Sequence, residues 1–344
     1  MRVRWRIEGA VRFLAVMTVV GLAVAGCGSD DDSKQKAASD KALTTVRVAF
    51  NPGTATRLYA ALAHGLFEKH GLNVKLVQFE SGAATNAAFA SGDVDFGYAG
   101  IPGILASRLS NDTRVFMIDN DGADAGGLVA TADSGISEVA DLEGKTIGTM
   151  IGTTAWMGLI TALRAEGVDP SRVKIKNVNP TAWIPAFNKG DVDGIWGWAP
   201  LMFQMADSGG KIVATDSKYM RNPLLWQVRG DFLEQHQDAV SSFVAAYDEA
   251  SALVERNDEQ FLSKMQEMTG VDEAKVKQTV DAVKPVEVEE TATDDSPYSM
   301  TNPDGLETTI REWMDALVDH KILRDTPEIE GLVDPAPIQK YLGG

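Results

Sequence analysis

Two short turns in this chain combine small residues with hydroxyls in the way an anion site requires: Ser81-Gly82-Ala83 and Gly152-Thr153-Thr154. Each precedes a stretch of helix length. The first backbone N–H groups of a helix have no acceptor within it, so each turn offers donors and hydroxyls to a sulfonate, carboxylate or phosphonate head. Ordinary N-capping is the alternative use of the same residues. Tyr98-Ala99-Gly100 adds small residues that let a ligand approach the backbone, and Asn51, directly after an apolar run, joins these candidates. Trp156 and Trp183 follow helix starts, Trp198 ends an apolar run and Trp226 lies near a presumed chain crossing. All four are expected to face a crevice, since such sites combine aromatic walls with a few polar groups. Trp196 shares a strand face with Trp198 but lies deeper, and Trp313 keeps helical spacing with Ile310 and Leu317, so both are expected in cores. Asp93, Asp95, Asp191 and Asp193 read as turn and capping residues. No nucleophile–base pair is visible, and His64, His70, His236 and His320 are scattered. An enzyme active site, a metal cage and a cofactor are therefore not expected.

The elements that must position these residues occur twice. Phe89-Ala90-Ser91-Gly92-Asp93-Val94-Asp95 returns as Phe187-Asn188-Lys189-Gly190-Asp191-Val192-Asp193, with Pro102 and Pro200 following at the same offset. Upstream of each copy come an apolar run (46–50, 146–150), a Gly/Thr turn, an amphipathic stretch, a second apolar run (74–79, 173–178) and another helical stretch. Each half thus reads strand–helix–strand–helix–strand, the alternation that builds a mostly parallel sheet flanked by helices. The fold class is α/β with two lobes. Ligands of open α/β sheets bind beyond the carboxyl ends of the strands, so two such edges face one another as a clamp.

The first residues imply export. Arg2, Arg4, Arg6 and Arg12 precede the apolar run 13–24, which is short for a membrane span. Val24-Ala25-Gly26 then leads to Cys27, the only cysteine. This is similar to a bacterial lipoprotein signal: residues 1–26 would be removed and Cys27 lipidated, while residues 27–44, polar and aperiodic, would form a disordered tether. The formal charge is −17, and removing the four Arg and one Glu of residues 1–26 takes it to −20. Such a balance argues against nucleic-acid binding and against electrostatic adhesion to anionic lipid, yet allows a small anion held by helix starts.

The first lobe is expected over 45–130 plus 225–344 and the second over 131–224, with crossings near 130 and 224 forming a two-stranded hinge. Beyond the strand 224–229 the pattern is helical, with Asp231, Asp238, Asp258 and Asp272 where N-caps are wanted. Residues 286–296 (VEVEETATDDS) read as a solvated acidic loop.

Residues 65–100, 141–163 and 187–201, together with Cys27 and its tether, resemble the taurine/alkanesulfonate/nitrate branch of ABC-transporter substrate-binding proteins. The taurine-binding members are the most similar, above all over 153–201 with its Trp198-Ala199-Pro200. The resemblance implies a type II periplasmic-binding-protein fold and a monomeric, lipid-anchored receptor outside the cytoplasm. It would capture a small organic solute between its lobes, a sulfonate such as taurine or an alkane or aryl sulfonate, and deliver it to an ABC permease and its ATPase. One departure is visible. Taurine binders of this kind imply acidic residues before the tryptophan of the returning strand and near Gly126. This chain has Leu224-Leu225-Trp226 and Ala125-Gly126-Gly127 there, with Asp121 and Asp124 as nearby replacements. A solute less cationic or more aromatic than taurine is expected. An amine, a pyrimidine or another aromatic solute is the alternative ligand. A pyrimidine-synthase-like enzyme of the same fold, or a sensory receptor, is the alternative role; an export signal argues against the cytosolic enzyme.

Overall fold

The computed structural model describes residues 42–343; the expected signal segment, Cys27 and most of the tether lie outside the described residues. The first lobe contains β1 (Thr44–Phe50), β2 (Leu72–Gln78), β3 (Phe96–Gly100) and β4 (Thr113–Asp121). The second contains β5 (Gly126–Ala130), β6 (Thr146–Thr149), β7 (Lys174–Asn177), β8 (Gly194–Trp198) and β9 (Lys211–Thr215). The chain then returns to the first sheet through β10 (Pro223–Arg229) and β11 (Lys284–Pro285). The sheet orders are β11-β4-β10-β3-β1-β2 and β7-β6-β8-β5-β9.

The repeated units fold alike. β1 pairs in parallel with β2 and β3, and β6 pairs in parallel with β7 and β8. The continuous apolar runs of the inner strands suit positions buried on both faces: Phe96 through Ala99 in β3 and Gly194 through Gly197 in β8 are all buried. Each unit's second helix stops at a left-handed glycine, Gly92 (φ 73) or Gly190 (φ 70), a conformation that costs residues with a Cβ. The following carboxylates then hold each unit's first strand. Asp95 Oδ2 accepts the Arg47 N–H at 2.9 Å, and Asp193 Oδ2 accepts the Thr146 N–H at 2.7 Å.

The expected boundary near residue 130 is corrected. β5 pairs with β8 and β9, in the second sheet, so the outgoing crossing falls at 122–125. A short apolar run fits a buried strand of either sheet, and only its hydrogen-bond partners, here 64 to 88 residues onward, decide which. The return crossing occupies 216–222. Asp121 fastens the two together: its Oδ1 accepts the N–H groups of Ala123 (2.8 Å) and Asn222 (3.1 Å). Gly122 N–H donates to the Asn222 carbonyl at 3.0 Å.

The C-terminal helices cover the first sheet. Helix Gln237–Glu255 buries Val240, Phe243, Val244 and Tyr247, the i, i+3, i+4, i+7 stripe of an amphipathic helix. Asp258 and Asp272 cap the next two helices through their side chains, whereas Asp231 and Asp238 sit in first turns. The segment 286–296 is not a solvated loop. It contains the short helix Val288–Thr291, and Val286, Val288 and Thr291 are buried against the first lobe, with Val286 N–H bonded to the Asp119 carbonyl at 3.2 Å. Its valines, spaced two apart among acids, supply an apolar face that the charge count hides. The same C-terminal region reaches the second lobe through a Lys275–Asp207 ion pair and an edge-on contact of His320 with Trp156.

Candidate ligand-binding site

The carboxyl ends of β1, β3, β6 and β8 meet at a cavity of about 60 Å³ between the lobes. Asn51, Ser81, Gly82, Tyr98, Ala99 and Gly100 line it from the first lobe; Gly152, Thr153, Thr154 and Trp198 line it from the second. Ala83 follows Gly82 within the 3-10 turn Gly82–Thr85. The fit is close. A Cβ on Gly82 would lie 2.4 Å from the Ala99 Cβ, and one on Gly100 would lie 2.2 Å from Thr154 Cγ2, across the gap between lobes. The small residues are there because neighbouring segments, including those of opposite lobes, approach too closely for a side chain.

Three helical segments start at this cavity: Gly82–Thr85, Ile101–Arg108 and Thr154–Ala165. None has a side-chain cap, unlike the Asp258- and Asp272-capped helices at the periphery. Among the described residues, the N–H groups of Thr154, Ala155 and Trp156 have no acceptor. Ser81 Oγ is likewise buried without a partner. Leaving such donors unpaired costs free energy that an anion recovers. Thr153 differs from expectation: its hydroxyl donates to the Met150 carbonyl at 2.6 Å and is not free for a head group. What the turn presents is its backbone.

The first-lobe wall is held from beneath. Tyr98 shares a 2.9 Å hydrogen bond with Thr54 Oγ1 and accepts from Asn120 Nδ2 at 3.1 Å. Gly53 N–H donates to Tyr59 Oη at 3.0 Å. Burial pushes the phenols of Tyr59 and Tyr98 up, so both stay neutral donors. Below them Arg57 and Asp119 form a fully buried ion pair at 3.0 Å. Burial raises the Asp119 carboxyl to about 6 against the pull of Arg57.

Only one of the four expected tryptophans lines the cavity. Trp198 does, and Trp183 stands behind it edge-on at 4.5 Å, fully buried, its indole N–H bonded to the Val178 carbonyl. Trp156 is buried and turned toward His320. Trp226 is fully buried among Tyr98, Phe243 and Tyr247. Its place on β10 explains the difference. Leu224, at the strand end, reaches the cavity; Trp226, two residues deeper on the same face, lies under helix Gln237–Glu255. Trp196 and Trp313 are buried. Asp124 does not line the cavity either: it pairs with Lys284 at 2.7 Å, which holds its carboxyl below the usual range. Asp121, the other nearby replacement, is occupied by the backbone of the two crossings and by the Tyr298 hydroxyl.

Among the described residues, no Asp, Glu, Lys, Arg or His lines the cavity. Asn222, from the return crossing, lines it and was missed in the sequence; Asn222-Pro223 signals a turn and nothing more. A second cavity, of about 760 Å³, shares Trp198 and runs outward between Pro52 and Phe79 on one side and Ile184 and Leu201 on the other. Among the described residues there is no cluster of metal-ligating side chains, and no helix is long and apolar enough to cross a membrane.

Two sheets joined by two crossings, with uncapped helix starts around the gap, define a two-lobed binding protein. The periplasmic aliphatic sulphonate binding protein SsuA from Escherichia coli superposes with a TM-score of 0.70 at 20% identity, covering 88% of this chain and 99% of that one. The alkanesulfonate-binding protein SsuA from Xanthomonas axonopodis pv. citri, bound to MOPS, gives 0.71 at 18% identity, covering 85% and 99%. The fold is that of type II periplasmic binding proteins. The chain belongs to the NMT1/THI5-like family, whose model matches residues 53–261. It is 31% identical over 243 residues to the taurine-binding periplasmic protein of Escherichia coli (strain K12), spanning 67% of this chain and 75% of that one. These relatives are solute-binding proteins, not enzymes.

Proposed function

We propose that this protein is the extracytoplasmic receptor of an ABC importer, lipid-anchored at Cys27, that closes on a sulfonate with an uncharged organic tail. The single observation that carries the reading is the convergence of three uncapped helix starts on a cavity without any charged side chain. Oriented N–H groups hold an anion without a counter-charge, and a sulfonate remains anionic at every physiological pH. The tail would lie against Trp198 and extend into the outer cavity, whose Phe79, Ile184 and Leu201 are apolar. An ammonium group held within the inner cavity would lose its hydration with no carboxylate among the lining residues to replace it, since Glu80 lines only the outer cavity. Taurine, which the Escherichia coli relative is named for binding, should therefore bind more weakly than ethanesulfonate, which lacks the amine. The membrane permease and its ATPase are the partners that such a receptor serves as a monomer.

Calorimetry of the protein with ethanesulfonate, butanesulfonate, benzenesulfonate, taurine, a pyrimidine and a quaternary amine tests the ligand class. Binding of the amine or pyrimidine alone would overturn it, as would taurine binding tighter than ethanesulfonate. The anchor is tested by fractionating cells that express Cys27→Ala, which should move the protein from membranes to the soluble fraction.

A further inference from the structure

Asn222 sits at the cavity wall, 4% exposed. One end of its amide is engaged: Nδ2 donates to Asp216 Oδ2 at 3.3 Å. The other end, Oδ1, is buried and has no partner among the described residues. An amide oxygen is the wrong group to meet an anion. An amide turned over about its last bond would present Nδ2 to the cavity and Oδ1 to Asp216, which must then carry a proton to donate.

Asp216 is built to keep that proton. It is 1% exposed, and among the described residues no cation pairs with it, in contrast to Asp95 with Arg47 and Asp119 with Arg57. Trp196 Nε1 donates to its Oδ1 at 2.8 Å. Gly126 on β5 and Gly158 on helix Thr154–Ala165 close around it so tightly that a Cβ on either would lie within 2.2 Å of a carboxyl oxygen. A carboxylate so enclosed loses its hydration, and with no counter-ion the neutral acid is favoured. The ionisable group facing it from a neighbouring element is Asp121, at the end of β4, whose charge also disfavours ionisation. Lys218, Tyr219 and Glu166 pair with one another outside.

We infer that Asn222 is a specificity-determining residue of the cavity and Asp216 its positioning residue, so that the site accepts an anion while Asp216 is protonated and releases it on ionisation. The inference rests on the sulfonate reading and adds to it a proton taken up with the ligand. Burial pushes the Asp216 carboxyl up to about 8, which brings the transition near neutral pH.

The probe is ethanesulfonate, which has no group titrating between pH 6 and 9.5, measured by calorimetry in sulfonate-free buffers. Affinity should hold steady from pH 6 to 7 and then fall about tenfold for each unit above the carboxyl's pKa. Above that pKa, titrations in buffers of different ionisation enthalpy should show uptake approaching one proton per ligand. Asp216→Asn, close in shape and always neutral, should flatten the profile and abolish proton uptake. Asn222→Ala should weaken binding about tenfold at pH 6.5 and also flatten the profile. Thermal melts confirm that each variant is folded; if Asp216→Asn is not, wild-type proton uptake decides. A wild-type affinity independent of pH overturns this inference alone. Failure of ethanesulfonate, butanesulfonate and benzenesulfonate to bind at pH 6.5 overturns the sulfonate reading and this inference together.

Discussion

The two lobes carry the same seven-residue device and differ five residues after it. In both, a left-handed glycine ends a helix and a carboxylate then binds the first strand's backbone, Asp95 to Arg47 and Asp193 to Thr146. At the strand end the copies part: Gly100 in the first lobe stands where Trp198 stands in the second. One makes room and the other fills it. Tyr98 and Trp196, also matched by offset, spend their polar atoms on different partners, Thr54 and Asn120 in one lobe and Asp216 in the other. The repeated residues therefore build the scaffold, and the cavity's chemistry lies where the repeat fails.

The largest effect separates Trp198, which ends β8, from Trp226, which lies in the middle of β10. Trp226→Ala should cost about 3–5 kcal/mol of stability in urea titrations, since it empties a packed aromatic core. It should leave the order of preference among sulfonate tails unchanged. Trp198→Ala should cost less stability and weaken long-tailed sulfonates more than ethanesulfonate. The reverse pattern would place Trp226 in the site.

Next come the matched carboxylates. Asp95→Ala removes the Arg47 N–H bond and an Arg47 side-chain pair at 2.6 Å, from a carboxyl that is 3% exposed. It should cost about 3 kcal/mol. Asp193→Ala loses a backbone bond without such a pair and should cost about 1–2 kcal/mol. Equal losses in urea titrations would show that the Arg47 pair adds nothing.

Gly100→Val probes where the copies differ. Its φ of −79° suits any residue, so backbone strain is not the issue. The new side chain would press on Thr154 of the opposite lobe, and relieving such overpacking costs about 1–3 kcal/mol. Ethanesulfonate binding should fall correspondingly, while the melting temperature without ligand changes little. An unchanged affinity would mean the lobes do not need this approach.

The smallest effect lies outside the repeat. Asp258 caps helix Glu259–Thr269 and bonds His64, and these contacts lower its carboxyl from 3.8 to about 2. A depressed carboxyl stabilises the fold above its unfolded pKa and loses that contribution as pH falls through the folded one. Asp258→Ala should therefore melt slightly below wild type at pH 7, with the gap closing between pH 4 and 2. A gap that persists at pH 2 would show that the ionised side chain is not what matters.

Much of this architecture was legible in local patterns. The duplicated segment, the alternation of apolar runs and amphipathic stretches, and the caps at Asp258 and Asp272 depend on neighbours a few residues apart. So did the turns at Ser81 and Gly152, because a helix start exposes its donors whatever surrounds it. Position relative to distant chain was not legible. Trp156, Trp183 and Trp226 looked like Trp198 in sequence, yet each lies under an element that a local window does not include. Asp124 looked free until Lys284, 160 residues on, was placed beside it.

By itself, then, the sequence determined the strand and helix order, the doubling, and the small-residue turns, since periodicity and backbone sterics act within a few residues. Only the tertiary structure decided that β5 joins the second sheet, that Trp198 alone of its candidates reaches the cavity, and that Asn222 meets Asp216. Hydrogen-bond pairing and burial depend on which segments arrive together, and an apolar run or a lone asparagine is compatible with several arrivals until the fold selects one.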